Sequence, residues 1–452
     1  MASRDFTEFH YGSVQAVQED AQSLGLELPM REDLSVLADP LVLRAGDASW
    51  TLANRLACHP MEGSDANPDG TPGPLVIRRY ERFAAGGAGL IWFEAVAVVP
   101  EGKASARQLA INEENVPVFA SLVKRIAEVA ADKFGQAHKP VVLMQLTHSG
   151  RFSKPEGVSA PVIACRNPYL DERCKVDDTT APISDDELEE LEGKFVQAAL
   201  LAKRAGFDGV DIKACHRYLA SELLSAFTRE GRYGGDFEGR TRFLLNLVDR
   251  IREACGPDFL LGARVNLYDG IRYPYGWGVD KDDVLVPAME EPIRLAKLLY
   301  EKGVRILNAT MGTPYFNPHV NRPYDKGGYR PTEHPLIGVA RLLDGAAAVQ
   351  KAVPGLAVVG TGYTWLRQLA APLAAGMVAS GNVSVVGFGR QAFAYPDFAK
   401  DILAGQGMLK DKCCITCGKC AEILRAGGTS GCVIRDAGVY APLYRQFCGT
   451  EG

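Results

Sequence analysis

The sequence predicts an α/β fold, a closed (β/α)8 TIM barrel followed by a cysteine-rich extension. Three observations lead to this prediction: eight short apolar runs, stretches of helical period between most of them, and cysteines crowded into one segment near the C-terminus. The 452 residues fit one main domain, because a barrel with insertions reaches more than about 400 residues. A chain with 47% hydrophobic and 23% charged residues has the composition of a packed globular protein.

The eight candidate strands are mostly apolar throughout, as strands covered on both faces are. They are residues 56–61, 90–98, 141–146, 209–212, 260–265, 306–311, 357–360 and 383–388. An open doubly wound sheet is the alternative to a closed barrel. Such a sheet usually carries a glycine-rich dinucleotide loop after an early strand, and no G-x-G-x-x-G motif stands near the N-terminus.

Amphipathic stretches separate most of these runs and predict the helices of the barrel. They are residues 116–131, 185–205, 239–254, 292–302 and 337–353. We expect residues 1–405 to form the barrel, with an N-terminal extension of about 40 residues, and residues 406–452 to form the cysteine-rich extension. Two long insertions, residues 152–182 and 267–283, follow predicted strands and should cover a substrate at the mouth of the barrel.

Charge and targeting patterns favour a small-molecule partner in the cytoplasm. The 50 basic and 55 acidic residues are well mixed and give a formal net charge of -5, which argues against a nucleic-acid or anionic-membrane surface. Residues 1–15 have no apolar core of signal-peptide length, and no later run approaches a membrane span. The sequence leaves a homo-oligomer open.

Polar residues at the ends of successive predicted strands are the first candidates for the site, because barrel enzymes place their chemistry there. These residues are Gln145, His148, Lys213, His216, Arg264, Asn308 and Arg390. The last two strands end in glycine-rich loops containing Gly362 and Gly389, which let backbone N–H groups approach an anion closely. With Arg390 as a charged donor, they predict a phosphorylated cofactor.

One segment carries a family resemblance. Residues 214–243, ACHRYLASELLSAFTREGRYGGDFEGRTRF, resemble the signature of the Old Yellow Enzyme family of FMN-dependent ene-reductases. Further pieces agree in order, from Pro60-Met61 through residues 145–151 and 205–210 to Gly389-Arg390, so that the similarity spans roughly residues 40–405. The resemblance implies a barrel that holds FMN, is reduced by NAD(P)H and reduces an activated C=C bond.

The resemblance also implies roles for individual residues. Gln145 would bond the flavin pyrimidine edge, and Arg264 would lie near the flavin N1 and O2, where a cation stabilises the reduced state. The remaining cofactor contacts would come from Pro60, Met61, Gly362, Gly389 and Arg390.

Two positions depart from the family pattern beside the implied catalytic residues. Tyr218 matches the tyrosine that protonates the substrate carbon, and Lys213 and His216 occupy the positions that grip the substrate carbonyl oxygen. Most relatives carry histidine where this chain has Lys213, and a threonine or cysteine bonding the flavin O4 where it has Glu62. The lysine leaves the substrate class open, and a carboxylate beside the flavin O4 would disfavour the reduced flavin unless it is protonated or turned away.

The terminal cysteines predict a metal site, because four close thiolates repel unless a cation holds them. The candidate ligands are Cys414, Cys417, Cys420 and Cys432, with Cys413 as an alternative first ligand. The quartet resembles the one that holds a [4Fe–4S] cluster in the dienoyl-CoA reductase and enoate reductase branch of the family, although the second gap there is usually one residue longer. A tetrahedral zinc ion would fit the same sulfurs.

The sequence therefore predicts an FMN-dependent ene-reductase that uses NAD(P)H, or an unseen redox partner, as its electron source. Aromatic residues in the insertions would suit an aromatic or polycyclic enone such as a flavone or a steroid. They are Tyr169, Tyr268, Tyr273, Tyr275, Trp277, Tyr315, Phe316 and Tyr324. Two alternatives stay open: an oxidative FMN dehydrogenase with an external electron partner, and a catalytically silent flavin- or metal-binding sensor.

Overall fold

Ten strands are present in the computed structural model, which describes residues 8–449. They are β1 Leu41–Ala45, β2 Ala48–Leu52, β3 Leu56–Cys58, β4 Leu90–Ala97, β5 Val141–Thr147, β6 Gly209–Ala214, β7 Leu260–Asn266, β8 Ile306–Thr310, β9 Ala357–Gly360 and β10 Val385–Phe388. Strands β3 to β10 pair in parallel in sequence order, and β10 pairs with β3 to close the ring. The predicted TIM barrel is confirmed, and the open sheet is excluded.

Fifteen α-helices lie within residues 8–449. They are α1 Val14–Ser23, α2 Pro74–Ala85, α3 Val116–Phe134, α4 Asp171–Cys174, α5 Asp185–Arg204, α6 Leu219–Leu224, α7 Phe237–Cys255, α8 Glu290–Glu301, α9 Pro318–Asn321, α10 Pro335–Ala352, α11 Ala370–Ala379, α12 Arg390–Ala394, α13 Phe398–Leu403, α14 Lys419–Arg425 and α15 Ala437–Cys448. All five predicted helical stretches are helical, with ends shifted by a few residues. No helix in this part of the chain is long and apolar enough to cross a membrane.

Local sequence explains where the long helices begin. Ser184 caps α5 and forms a capping box with Glu187, each side chain bonding the other residue's backbone N–H. Asp236 caps α7 through a bond from the Gly239 N–H. These caps fix the start of helices whose buried faces pack on the outside of the barrel.

The barrel interior has an apolar layer at the amino ends of the strands. It contains Leu90 from β4, Val141 from β5, Leu260 from β7 and Ile306 from β8. The antiparallel β1–β2 hairpin, which the sequence did not reveal, packs Leu43 and other apolar side chains against this layer. Burial of this layer fills the amino-terminal end of the barrel, and barrel enzymes bind their ligands at the opposite end.

Polar side chains replace this layer toward the carboxyl ends of the strands. Lys213 on β6 is in register with Arg264 on β7, which is in register with Asn308 on β8. Successive residues of a strand point to opposite faces, so Asp211 shares the inner face with Lys213. The barrel therefore presents a polar ring to the end at which the predicted site lies.

The cysteine-rich extension packs on the barrel through α2 and the loop after β3. Asp436 forms ion pairs with Arg78 at 2.7 Å and Arg82 at 2.5 Å. The Ser430 N–H donates to the Gly63 carbonyl at 2.7 Å. Helices α14 and α15 contact each other over a small apolar cluster of their own. The division at residue 405 stays a prediction.

Candidate active site

A cavity at the carboxyl ends of the strands, here called the main cavity, gathers most of the predicted site. It has an empty volume of about 1230 Å³, part of it open to solvent. Its lining includes the predicted residues Pro60, Met61, Glu62, Lys213, His216, Tyr218, Arg264, Gly362, Gly389 and Arg390. Residues far apart in sequence therefore line one space at the end of the barrel where ligand sites form.

Lys213 and Glu62, the two departures from the family pattern, are partners. The Lys213 Nζ lies 2.5 Å from the Glu62 Oε1, with side chains only 3% and 21% exposed. The same ammonium lies 3.8 Å from the ring centroid of Tyr218. Each charge offsets the cost of burying the other, which explains how both replacements are accommodated together.

Tyr218 presents a protonated phenol to the main cavity. Its hydroxyl lies 3.0 Å from the Tyr315 hydroxyl and 3.5 Å from the Glu62 Oε1. Burial, and then the negative charge of Glu62, raise the pKa of Tyr218 well above its usual value of 10. The group therefore holds its proton across the physiological range and can act as an acid toward a bound substrate.

His216 is held neutral at an unusual turn after β6. His216 and Arg217 both have φ of 63°, in the left-handed region, and a buried ion pair of Arg217 with Asp269 at 2.9 Å stabilises this turn. Burial, and then the cations Arg264 and Lys213, lower the pKa of His216 well below 6.5. The imidazole is therefore uncharged at neutral pH.

Asn321 in α9 fixes the tautomer of His216. The Asn321 amide nitrogen donates to the Met311 carbonyl at 3.0 Å and lies 3.3 Å from the His216 Nε2. The same nitrogen lies 3.3 Å from the Thr310 Oγ1, and because an amide NH2 group only donates, its contact with His216 is a hydrogen bond in the tautomer that carries the ring proton on Nδ1. His216 thus offers a neutral N–H donor through its Nδ1.

The residues around the predicted cofactor position leave polar atoms unsatisfied. The Nε of Arg264 and the Oδ1 of Asn308 are buried without a hydrogen-bond partner among residues 8–449. A Cβ on Gly389 would lie 2.8 Å from the Met61 sulfur, so a larger residue there would displace the Met61 side chain. Arg264 lines the main cavity and Asn308 lies behind its lining residue His59, and an unpaired buried donor at a cavity wall fits a polar ligand such as a flavin.

Four arginines line the main cavity, of which Arg264 and Arg390 were predicted. The other two are Arg322 from the loop after β8 and Arg425 from α14. None of the ion pairs formed within residues 8–449 involves Arg322, Arg390 or Arg425. Burial, and then the charge of Arg390, lower the pKa of Arg322 to about 10. Their unpaired positive charge suits a phosphate group.

Gln145 lies away from the other predicted cofactor residues. Its amide donates to the Asp211 carboxylate at 2.5 Å, and Trp92 donates to the same oxygen at 2.7 Å. Gln145 is 1% exposed and does not belong to the lining of the main cavity. Burial raises the pKa of Asp211 to about 6. A direct bond from Gln145 to a cofactor stays a prediction.

The four predicted cysteine ligands line a second space, the cysteine cavity, with an empty volume of about 360 Å³. Cys414 faces this cavity, whereas the thiol of Cys413 donates to the Leu409 carbonyl at 3.3 Å and lies in the main core. Among residues 8–449, no three or more His, Cys, Asp or Glu side chains are arranged to hold a metal ion. Cys420 and Arg390 line both cavities.

Sequence reasoning missed residues that carry no motif. His59 lines the main cavity, and its Nδ1 accepts from the Asn308 amide at 2.8 Å. It lies two residues before Met61, so strand alternation could have placed it on the inner face. Asn321, Arg322 and Arg425 reach the cavity from a loop and from the extension, and nothing in their local sequence marks them.

Comparisons with known proteins place the chain in a family. The family described as NADH:flavin oxidoreductase / NADH oxidase matches residues 43–407. An NADH oxidase of Thermoanaerobacter brockii is 30% identical over 409 residues, which cover 87% of this chain and 56% of the relative. An NADPH dehydrogenase of Bacillus pumilus (strain SAFR-032) is 34% identical over 267 residues, covering 58% of this chain and 70% of the relative. The chain thus spans little more than half of the first relative.

Solved structures share the barrel. An Old Yellow Enzyme homologue from Zymomonas mobilis aligns with a TM-score of 0.60 at 22% identity, covering 83% of this chain and 94% of that one. Morphinone reductase aligns with a TM-score of 0.60 at 23% identity, covering 83% and 91%. A 2-naphthoyl-CoA reductase aligns with a TM-score of 0.65 at 21% identity, covering 82% and 53%. These likenesses show the fold, and the family match over residues 43–407 shows that the chain belongs to the NADH:flavin oxidoreductase / NADH oxidase family, which confirms the predicted resemblance.

Proposed function

We propose that this chain is an FMN-dependent ene-reductase that uses NAD(P)H to reduce a C=C bond conjugated to a carbonyl. The observation that carries the proposal is the convergence of Lys213, His216 and Tyr218 on the main cavity, which Arg264 also lines. Two hydrogen-bond donors and an acid in one space match the needs of carbonyl activation and carbon protonation.

The residues that would hold FMN are supported by the fit of the cavity. Arg390, Arg322 and the glycine-rich ends of β9 and β10 would bind the phosphate, and Arg264 would place its cation beside the ring. Bound FMN would supply the hydride that adds to the substrate. The chain's own contribution is to bind and orient both partners and to exclude water from the buried end of the barrel.

Carbonyl activation would fall to Lys213 and His216. An ammonium and a neutral imidazole N–H both stabilise negative charge developing on a carbonyl oxygen. Tyr218 would give its phenolic proton to the carbon next to the carbonyl, because its raised pKa keeps it protonated until a strong base forms beside it. Glu62 would keep Lys213 in place through their ion pair.

An aromatic or polycyclic enone is the substrate class that the walls favour. Phe152 stacks on Tyr315 with ring centroids 3.9 Å apart, and Tyr315 is nearly parallel to Tyr218 with centroids 6.2 Å apart. Tyr218 and Tyr315 line the main cavity, whereas Phe152 supports Tyr315 from behind and Tyr169 and Phe316 lie outside the lining. Parallel rings at a cavity wall favour a flat conjugated ligand such as a flavone.

The cysteine cavity would hold a [4Fe–4S] cluster. Four cysteines line it, and backbone N–H groups donate to the Cys414 sulfur at 3.4 Å and to the Cys432 sulfur at 3.3 Å. A single zinc ion requires its sulfurs about 2.3 Å from one centre. Four cysteine thiolates are the usual ligands of a [4Fe–4S] cluster, and the resemblance of this quartet to that of the enoate reductase branch favours a cluster over zinc.

An anaerobic turnover assay tests the function. The holoenzyme with NADH or NADPH and an enone should consume one equivalent of nicotinamide for each C=C bond reduced. Reduction of the flavin by a saturated ketone or amine with an artificial electron acceptor, without enone reduction, would instead indicate the oxidative dehydrogenase. A reducible flavin that no enone reoxidises would indicate the sensor. Iron and sulfide analysis against zinc content tests the cluster separately.

A further inference from the structure

A buried proton donor needs a group that restores its proton after every turnover. Tyr218 is only 1% exposed, so its hydroxyl has little direct contact with solvent. In the structure this hydroxyl contacts two groups, the Tyr315 hydroxyl at 3.0 Å and the Glu62 carboxylate at 3.5 Å. When substrate fills the main cavity, these two contacts are the routes by which a proton can reach the hydroxyl.

Glu62 is unsuited to this task. Its carboxylate lies 2.5 Å from the Lys213 ammonium, and an ionised carboxylate only accepts hydrogen bonds. Lys213 carries protons, but its Nζ lies over the face of the Tyr218 ring, 3.8 Å from the centroid. Tyr315 is the contact at ordinary hydrogen-bond distance that both carries and accepts a proton.

Tyr315 is also placed between Tyr218 and the outside of the protein. As a whole residue it is 38% exposed, whereas Tyr218 is buried, and it is burial around the Tyr315 hydroxyl itself that raises the pKa of that group. Its ring stacks on Phe152 at an angle of 21°, and its backbone carbonyl accepts from Arg173 at 3.4 Å. Ring and backbone are thus both held, which fixes the hydroxyl against Tyr218.

We propose that Tyr315 is a positioning residue that relays protons from solvent to Tyr218. The proposal rests on the proposed function and deepens it. As the substrate carbon takes hydride from the reduced cofactor at one position, the Tyr218 O–H bond breaks and a C–H bond forms at the neighbouring carbon. In the same step the Tyr218 oxygen takes the Tyr315 proton, which prevents a phenolate from forming at the buried position, and Tyr315 then takes a proton from solvent. The electrons come from NAD(P)H.

The charged and titratable groups around the relay are few. Tyr218 faces Glu62, Tyr315 and Cys215 in addition to the Lys213 ammonium. Tyr315 faces Glu62, Arg322 and Cys174 as well as Tyr218. Burial raises the pKa of both tyrosines, so both phenols are protonated at the start of each transfer.

The test separates the two half-reactions in the holoenzyme by anaerobic stopped-flow spectroscopy. We expect Tyr315→Phe to keep the ring stack and flavin reduction by NAD(P)H, but to slow reoxidation by 2-cyclohexenone about tenfold, with a larger solvent deuterium isotope effect. Tyr329→Phe is the matched control. Tyr329 is 42% exposed, lines neither cavity, and contacts His319 and Tyr324 rather than Tyr218. It should reoxidise at the wild-type rate.

A second variant distinguishes loss of the proton relay from loss of packing at position 315. Tyr315→His places a proton-carrying ring at the same position and should recover reoxidation as the pH falls below about 6.5, a pH dependence that a merely structural role would not produce. Equal reoxidation rates and isotope effects in wild type and Tyr315→Phe would overturn the relay alone. A wild-type enzyme that no enone reoxidises would overturn the proposed function and the relay with it.

Discussion

At the scale of single residues, the pairing of Glu62 with Lys213 shows how an active site tolerates two unusual side chains. A lysine without a partner would pay the full cost of burial, and so would a carboxylate at the same depth. Their contact joins positions 151 residues apart in sequence. The sequence alone marked both residues as departures, but the pairing depends on the barrel bringing β6 beside the end of β3.

Breaking this pair should destabilise the protein more than removing it. We expect Glu62→Gln or Lys213→Met alone to lower the free energy of unfolding by about 3–5 kcal/mol, and the double variant to recover most of the loss. Urea unfolding measures the free energies of unfolding of the single and double variants. Arg31→Gln is the control, because its ion pair with Asp33 is 47% and 53% exposed and should contribute about 0–1 kcal/mol. Losses in the double variant that equal the sum of the single losses would contradict the pairing.

Tyr218 offers a prediction on chemistry rather than stability. Removing the phenolic hydroxyl in Tyr218→Phe should slow flavin reoxidation by an enone about 10²- to 10⁴-fold while sparing flavin reduction by NAD(P)H. Only the reoxidation step needs an acid. Stopped-flow measurement of the two half-reactions checks this. Equal losses in both would show that Tyr218 supports binding or folding instead of proton transfer.

At the scale of elements, the strands and the long helices were predictable because their signals are local. Eight apolar runs became eight strands, with β4 ending at Ala97 and β10 beginning at Val385, each within two residues of expectation. The run predicted for β3 extended to Met61, but pairing ends at Cys58 and the next residues line the main cavity. Residues 59–61 therefore look like part of a strand in the sequence, but in the structure they line the main cavity.

The docking of α15 onto α2 is an element-scale interaction that can be tested directly. Asp436 pairs with both Arg78 and Arg82 while being itself mostly buried. We expect Asp436→Asn to cost about 1 kcal/mol, discounted because both arginines are about one-third exposed. Hydrogen exchange at residues 437–448 should then accelerate about five- to tenfold, with the barrel strands unaffected. Unchanged exchange would mean that the apolar contacts between α14 and α15 hold α15 in place without the ion pairs of Asp436.

At the scale of the whole molecule, the sequence predicted the barrel and most of the site because residues at strand ends meet at one face in this fold. What it missed came from long-range packing. Arg322 lies in the loop after β8, and Arg425 belongs to the extension, and neither carries a motif that ties it to the cofactor position. The extension was predicted as a separate metal-binding unit, yet it supplies part of the wall of the main cavity.

This shared wall predicts that the extension helps to retain the flavin. Cys420, Leu424, Arg425 and Ser430 all line the main cavity, and Cys420 also lines the cysteine cavity. If the cysteines hold a cluster that orders this segment, Cys414→Ser should remove the cluster and loosen α14. We expect the dissociation constant for FMN to rise about tenfold, a loss of about 1.4 kcal/mol.

Flavin release is measured by fluorescence after dilution of the anaerobically purified protein, with iron content determined in the same samples. Cys448→Ser is the matched control, because this cysteine is exposed at the end of α15 and lines neither cavity. It should keep wild-type iron and flavin. A Cys414→Ser protein that loses iron but holds FMN as tightly as the wild type would show that the barrel alone binds the flavin, and that the wall supplied by the extension serves the substrate instead.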